Sequence, residues 1–299
     1  MRYTFDELMR LAEEEAGGID VPTRPTIVKE LLHYDILLAL SRSQMSQRLV
    51  FQGGTALRLC YGGQRYSEDL DFVCGHDATE PFDIAEVESL LREHVADRYG
   101  LALEVKPPGE DRQFAGTDVV VKRWSLNVMV PGFAGMQRIH FEVCNVPAYD
   151  SAPLLLLPRY AFLSDVYSDI ALRVESLNEI TADKVVALIG RSHLKARDLW
   201  DLRWLAQKGA EPDVELVRAK LDDYGIGDVE PRIASAAGRL QSPAAPDAFA
   251  AEMRRFVTPS LGARLLGSAQ LCRPWLKHAS KTLEDVRVQL ANGPSSMSP

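Results

Sequence analysis

The chain has 299 residues, 46% of them hydrophobic, and a formal net charge of −8. That length buries a sizeable core and suffices for two domains of the common size, about 100–200 residues each. No apolar run approaches the roughly 18 residues a membrane-crossing helix needs, and the start, MRYTFDELMRLAEEE, lacks the apolar stretch of a signal peptide. Four cysteines, Cys60, Cys74, Cys144 and Cys272, lie far apart with no CxxC pair. They are expected to be reduced thiols in a cytoplasmic protein, not a zinc site or a disulfide scaffold. Residues 1–150 carry 15 basic and 24 acidic side chains, a net of −9, and residues 151–299 carry 19 and 18, a net of +1. An acidic first half is unusual for a nucleic-acid binder, unless some carboxylates hold divalent cations that the formal count leaves out.

In chain order, Thr4 to Gly17 has a helical apolar stripe, and a longer helix is expected from Pro25 to Ser43, with Ile27, Leu31, Leu32, Ile36, Leu37 and Leu40 at three- and four-residue intervals. Leu49-Val50-Phe51 reads as a buried strand stopped by Gly53-Gly54. Thr55 to Tyr61 has helix spacing, and Asp69 to Cys74 is strand-like again. Ile84 to Tyr99 is expected to be helical, and 101–106, 118–130 and 137–146 alternate as strands. The Pro-bounded stretch 147–158 reads as a connector. Helices are then expected at Ser176 to Arg191, Ala196 to Gln207, Val214 to Tyr224 and Phe249 to Phe256, and a disordered polar tail from Asn292. The expected fold is therefore α+β. Residues 1–150 form a domain with a small mixed sheet flanked by helices, and residues 151–299 form an all-helical domain.

The segment FQGGTALRLCYGGQRYSEDLDFVC, residues 51–74, is the most informative. Strand alternation puts Asp69 and Asp71 on one face and Leu70 and Phe72 on the other. Two carboxylates so placed repel each other unless a cation sits between them, and a divalent metal is such a cation. Gly53-Gly54-Thr55 closes a strand and opens a helix, where backbone can approach a phosphate closely; Thr55 is also a plausible helix cap. The order strand, Gly-Gly-Thr, helix, Asp-x-Asp strand is much more specific than either part. It resembles the Gly-Ser…Asp-x-Asp signature of the polymerase-β-like nucleotidyltransferases, with Thr55 where Ser is usual. The longer string Gly53, Gly54, Thr55, Ala56, Leu57, Arg65, Ser67, Asp69, Leu70, Asp71 and Phe72 is similar to the AbiEii/AbiGii toxin branch.

A third acid is expected on a neighbouring strand. In Arg138-Ile-His-Phe-Glu-Val-Cys144, alternation places His140, Glu142 and Cys144 on one face, opposite Ile139, Phe141 and Val143. Glu142 fills that role, whereas His140 is a poor ligand for Mg²⁺, which prefers oxygen. In the helical half, Lys184 lies beside an apolar stripe, and Asp198 and Asp201 in Lys195-Ala-Arg-Asp-Leu-Trp-Asp share a helix face. Alone these are ordinary surface patterns. Together they are similar to the AbiEii downstream motifs, and the resemblance covers residues 45–207. It implies that Lys184 binds nucleotide phosphates and that Asp198 and Asp201 complete the site.

The implied chemistry is attack of a hydroxyl on the α-phosphate of an NTP, releasing pyrophosphate. Asp69, Asp71 and Glu142 are the expected ligands of two Mg²⁺ ions. Gly53, Gly54, Thr55, Arg65 and Ser67 are expected to face the nucleotide, and a phosphate added to Ser67 would repel it. The resemblance implies RNA, the tRNA 3′ end, as acceptor and a cognate antitoxin as partner. Two other readings stay open: transfer to a small molecule such as an aminoglycoside or to a protein side chain, and an inactive module that only binds nucleotide.

Overall fold

The computed structural model describes residues 3–17, 23–75, 88–89, 91–109, 112–113, 118–133 and 135–292. The first turn of the helix expected from Ile84 and the tail beyond Asn292 lie outside the described residues. The chain forms two compact units. One comprises Met1–Gln113, Val119–Glu175 and Arg255–Pro259; the other comprises Phe114–Asp118, Ser176–Arg254 and Ser260–Pro299.

In the first unit, helix α1 (Phe5–Glu15) starts at a capping box: Glu7 N–H donates to the Thr4 hydroxyl, and Thr4 N–H donates to Glu7 Oε2 at 2.7 Å. Helix α2 (Arg24–Ser41) is buried on nearly every side, including Glu30, His33 and Asp35. A helix apolar all round belongs inside a protein, and its polar groups must find partners there. Each does. Glu30 takes Arg58 in a two-point pair at 2.6 and 2.9 Å, His33 meets the Glu68 carbonyl at 3.2 Å, and Asp35 accepts from Arg98 at 2.7 Å and Tyr167 at 2.6 Å.

The sheet has eight strands: β1 (Val50–Gln52), β2 (Leu70–Val73), β3 (Ala102–Lys106), β4 (Arg112–Gln113), β5 (Val120–Met129), β6 (Met136–Cys144), β7 (Ser151–Leu155) and β8 (Ala171–Glu175). Their order is β3-β5-β6-β2-β1-β8-β7, with β4 paired to β5. The β2–β6 and β1–β8 pairs are parallel and the others antiparallel, so the sheet is mixed. Helix α3 (Gly53–Leu59) follows β1 directly. One face of the central strands is a row of rings: Phe51 on Phe72 at 5.0 Å, Phe72 on Phe141 at 4.8 Å, and Trp124 edge-on to Phe141 at 6.0 Å. All four rings are buried, each contributing roughly 1.5–3 kcal/mol through lost apolar surface. This apolar face fixes the register, because a one-residue slip would turn every ring outward.

The sheet does not stop at 150. The stretch read as a connector contains β7, and β8 follows, so the unit holding the sheet runs to Glu175. Pro153 and Pro158 suggested a break. However, β7 is an edge strand, where a proline costs no ladder hydrogen bond on its open side.

The second unit is helical: α4 (Leu177–Gly190), α5 (Ala196–Gln207), α6 (Val214–Asp223), α7 (Val229–Leu240), α8 (Ala245–Met253), α9 (Pro259–Leu265, which starts at the end of the first unit) and α10 (Ala269–Ala291). Its core includes Trp200 stacked on Trp275 at 5.2 Å, with Phe249 at 5.5 Å. Buried Lys220 of α6 pairs with Glu179 and Asp183 of α4, both at 2.8 Å. Helices α7 and α10 were not expected from the sequence. Pro274 lies inside α10 and Pro231 inside the first turn of α7, and both interrupt the reading of a helix. No helix among the described residues is long and apolar enough to cross a membrane.

Candidate active site

The polar face of the sheet lies opposite the rings. Asp71 of β2 is registered with Gln52 of β1 on one side and with Glu142 of β6 on the other, and Glu142 is registered with Arg123 of β5. A single row across four strands therefore reads Gln52, Asp71, Glu142, Arg123. The Arg123 guanidinium forms an ion pair with Glu142, and both side chains are half-buried. One step along, His140 N–H donates to Asp69 Oδ1 at 3.4 Å, and His140 Nδ1 meets Ser125 Oγ at 3.3 Å. Burial pulls the His140 imidazole below its ordinary pKa, opposed by nearby Asp69. Leu70, Phe72, Ile139, Phe141 and Val143 are all buried on the other face, as alternation requires.

The Gly-Gly-Thr turn closes over this row. Gly53 sits at φ +76°, and a Cβ there would come within 2.8 Å of Asp71 Oδ2. Only glycine combines that left-handed backbone with so close an approach. A Cβ on Gly54 would run into the Arg65 guanidinium, which is buried beneath the turn and donates to the Tyr66 carbonyl at 2.9 Å. Thr55 is not the helix cap; Gln52 holds that position. The Thr55 hydroxyl instead donates to the Asp69 carbonyl, tying α3 to the residue before β2. Ser67 is buried in the loop between them.

Lys184, Asp198 and Asp201 come together in the second unit. The Lys184 ammonium pairs with Asp198 Oδ1 and Asp201 Oδ2, each at 3.0 Å, and Arg191 also pairs with Asp198. Burial alone would raise the Asp198 carboxyl, but Lys184 and Arg191 hold it down at about 2. Burial, then Arg191 and Arg197, pull the Lys195 ammonium below its ordinary value.

Among the described residues, no three His, Cys, Asp or Glu side chains are already grouped as a metal cage. The donor set still suits a hard divalent cation: Asp71 and Glu142 are adjacent oxygen donors, Asp69 is two residues away, and Gly53 leaves no side chain over Asp71. The sequence did not single out Arg123, Gln52 or Glu68. Arg123 does lie in phase with Ser125 and Asn127 on β5, but pairing it with Glu142 needs the register between β5 and β6.

Among solved structures the chain is similar to MenT4, a nucleotidyltransferase toxin from Mycobacterium tuberculosis H37Rv. Identity is 22% and the TM-score 0.58, over 96% of this chain and 99% of that one. At that identity the likeness speaks to the fold. JHP933 from Helicobacter pylori matches at 18% identity and a TM-score of 0.43, over 89% and 97% of the two chains, too low to carry an argument. No curated protein matches the chain. The family model described as nucleotidyl transferase AbiEii toxin, type IV toxin–antitoxin system, matches residues 35–278, which span both the carboxylate row and the Lys184 cluster. The chain belongs to the AbiEii family of nucleotidyltransferase toxins.

Proposed function

We propose that the chain transfers a nucleoside monophosphate from an NTP to an acceptor hydroxyl on RNA, the tRNA 3′ end, and thereby blocks growth. The family carries an NTP substrate and an antitoxin partner with it. The observation that carries the reading is Asp71 registered against Glu142 beside a glycine whose left-handed backbone leaves no side chain over Asp71.

In this reading Asp69, Asp71 and Glu142 hold Mg²⁺. When bound, the metal polarises phosphoryl oxygens and lowers the pKa of a coordinated hydroxyl. The acceptor oxygen attacks the α-phosphorus, and pyrophosphate leaves. Gly53 and Gly54 let the phosphates approach Asp71, Arg65 supports that turn from beneath, and Thr55 holds the loop that carries Asp69, in which Ser67 is buried. Lys184 is the counter-charge to the phosphates, and Asp198 and Asp201 aim its ammonium. Arg191 at the end of α4, with Lys195 and Arg197 at the start of α5, favours a polyanionic acceptor.

The test incubates the protein with Mg²⁺, total tRNA and each labelled NTP in turn, with Asp71→Ala alongside. Label entering tRNA with wild type only supports the full reading and names the nucleotide. Metal-dependent pyrophosphate release only with a small cationic acceptor would remove RNA, an outcome that the acidic first half would suit. Nucleotide binding without turnover on any acceptor would leave an inactive module.

A further inference from the structure

We propose that Glu68, the residue before Asp69, is a positioning residue of this site, and that the Arg255–Pro259 segment holds it in place. The inference rests on the reading that Asp69 takes part in the reaction. The two aspartates are not held alike. Asp71 lies inside the sheet, paired on both sides, whereas β2 begins only at Leu70. Asp69 is thus carried at the end of a loop without regular structure, residues 60–69, with its carboxylate accepting from the His140 backbone N–H at 3.4 Å.

That loop is tied at nearly every residue. Arg58 donates to the carbonyls of Gly63 and Gln64 at 3.1 and 3.2 Å, and Tyr66 N–H donates to the Phe256 carbonyl at 2.7 Å. Glu68 is the most heavily bound. Its two carboxylate oxygens take Lys29 of α2 and Arg255, each at 2.9 Å. Its carbonyl accepts from His33 Nε2, and Thr55 holds the next carbonyl, that of Asp69. Burial pushes the His33 pKa down to about 4, so its neutral ring donates that bond at pH 7. The 255–259 segment is itself anchored in this unit. Phe256 and Val257 are buried, the Thr26 hydroxyl donates to the Arg255 carbonyl at 3.3 Å, and the Thr23 hydroxyl donates to the Val257 carbonyl at 3.3 Å. A side chain held by two cations from separate elements fixes the backbone between them. A displacement of about 1 Å in a reacting group costs on the order of 100-fold in rate.

The experiment compares Glu68→Gln, Arg255→Met, Arg255→Lys and Asp69→Asn. It reads kcat and KM for the NTP with the acceptor that supports wild-type turnover, and Mn²⁺ binding to nucleotide-free protein by paramagnetic resonance. Expected are loss of turnover in Asp69→Asn, and a fall in kcat of about tenfold or more in Glu68→Gln and Arg255→Met, with KM within about twofold. Mn²⁺ binding should weaken several-fold in both, and Arg255→Lys should recover most of kcat. Wild-type kcat and Mn²⁺ affinity in Glu68→Gln, with Asp69→Asn inactive, would overturn this proposal alone. So would losses in Arg255→Met that match only a loss of folded protein. Full turnover in Asp69→Asn would overturn it together with the functional reading.

Discussion

Asp71 stands directly across the parallel ladder from Glu142, so two carboxylates on neighbouring strands share one face of the sheet. Like charges directly opposite destabilise a sheet, and a fold selected for stability alone would avoid them. Asp71→Asn and Glu142→Gln are therefore expected to lower transfer by about 100-fold or more while keeping the fold. The thermal midpoint of Asp71→Asn should equal or exceed that of wild type in the absence of metal. In both variants Mg²⁺ should no longer raise the midpoint. Transfer rates and melting curves with and without Mg²⁺ check this, and a fully active variant would remove its carboxylate from the site.

Arg123 is the cation of the same row, paired to Glu142 from β5. It offsets the carboxylate charge when no metal is present and opposes a metal when one binds. Arg123→Gln is expected to destabilise the metal-free protein by about 0–1 kcal/mol, the usual scale for a partly exposed pair. It should also enlarge the Mg²⁺-induced rise in melting temperature. A smaller rise than in wild type would mean that Arg123 aims Glu142 at the metal instead of competing with it.

Gly53 combines a left-handed backbone with a position where an added Cβ would come within 2.8 Å of Asp71 Oδ2. Alanine there adds about 1–2 kcal/mol of backbone strain before any clash is counted. Gly53→Ala is expected to lower both the melting temperature and the transfer rate, with the rate falling further than the loss of folded protein explains. Gly75, at φ +80° with open space around it, is the control: Gly75→Ala should cost stability and leave the rate of the folded protein unchanged.

How much of this was legible beforehand depended on whether the information was local. The His140/Glu142 face and the Asp198/Asp201 spacing follow from strand and helix periods, and β6 and α5 bear those periods out, whereas Asp69 lies just before β2 and not within it. The parallel β2–β6 pairing joins residues about seventy positions apart, so it could not be read from any window of sequence. Arg123 and Glu68 went unnoticed for the same reason, since their partners are Glu142, Lys29 and Arg255. The alternative of Thr55 as a helix cap falls away because its hydroxyl bonds to a carbonyl fourteen residues on, not to its own helix. Strand β7 reads as a connector in the sequence because Pro153 signals a break unless the strand is known to be an edge.

Lys184 is held by Asp198 and Asp201, and Asp198 is also held by Arg191. Removing the ammonium leaves two buried carboxylates with less compensation, which typically costs about 3–5 kcal/mol. Lys184→Met is therefore expected to destabilise strongly, and Lys184→Met with Asp201→Asn to recover part of the loss. Asp198 adds a pH signature. Its carboxyl lies at about 2, below the ordinary 3.8, so its stabilising contribution is present above pH 3.8 and disappears as pH falls toward 2. Chemical denaturation at pH 5 and at pH 2.5 should show this loss in wild type and a smaller one in Asp198→Asn.

His33 and Asp35, two residues apart on buried α2, titrate in opposite senses. Burial pushes His33 from 6.5 down to about 4, so the stability it lends is present above pH 6.5 and lost as pH falls toward 4. Burial pushes Asp35 from 3.8 up to about 6, only partly offset by Arg98 and the hydrogen bond from Tyr167. Its contribution is therefore present below pH 3.8 and lost as pH rises through 6. Between about pH 6 and 4 the unfolded chain takes up the histidine proton while the folded chain takes up the aspartate proton, and the two effects oppose. Each alone would give a slope of about 1.4 kcal/mol per pH unit. His33→Gln should then gain stability, relative to wild type, as pH falls from 6 to 4, and Asp35→Asn should lose it over the same range. Denaturant midpoints at half-unit pH intervals check this. Parallel curves for all three proteins would show that neither group titrates in that window.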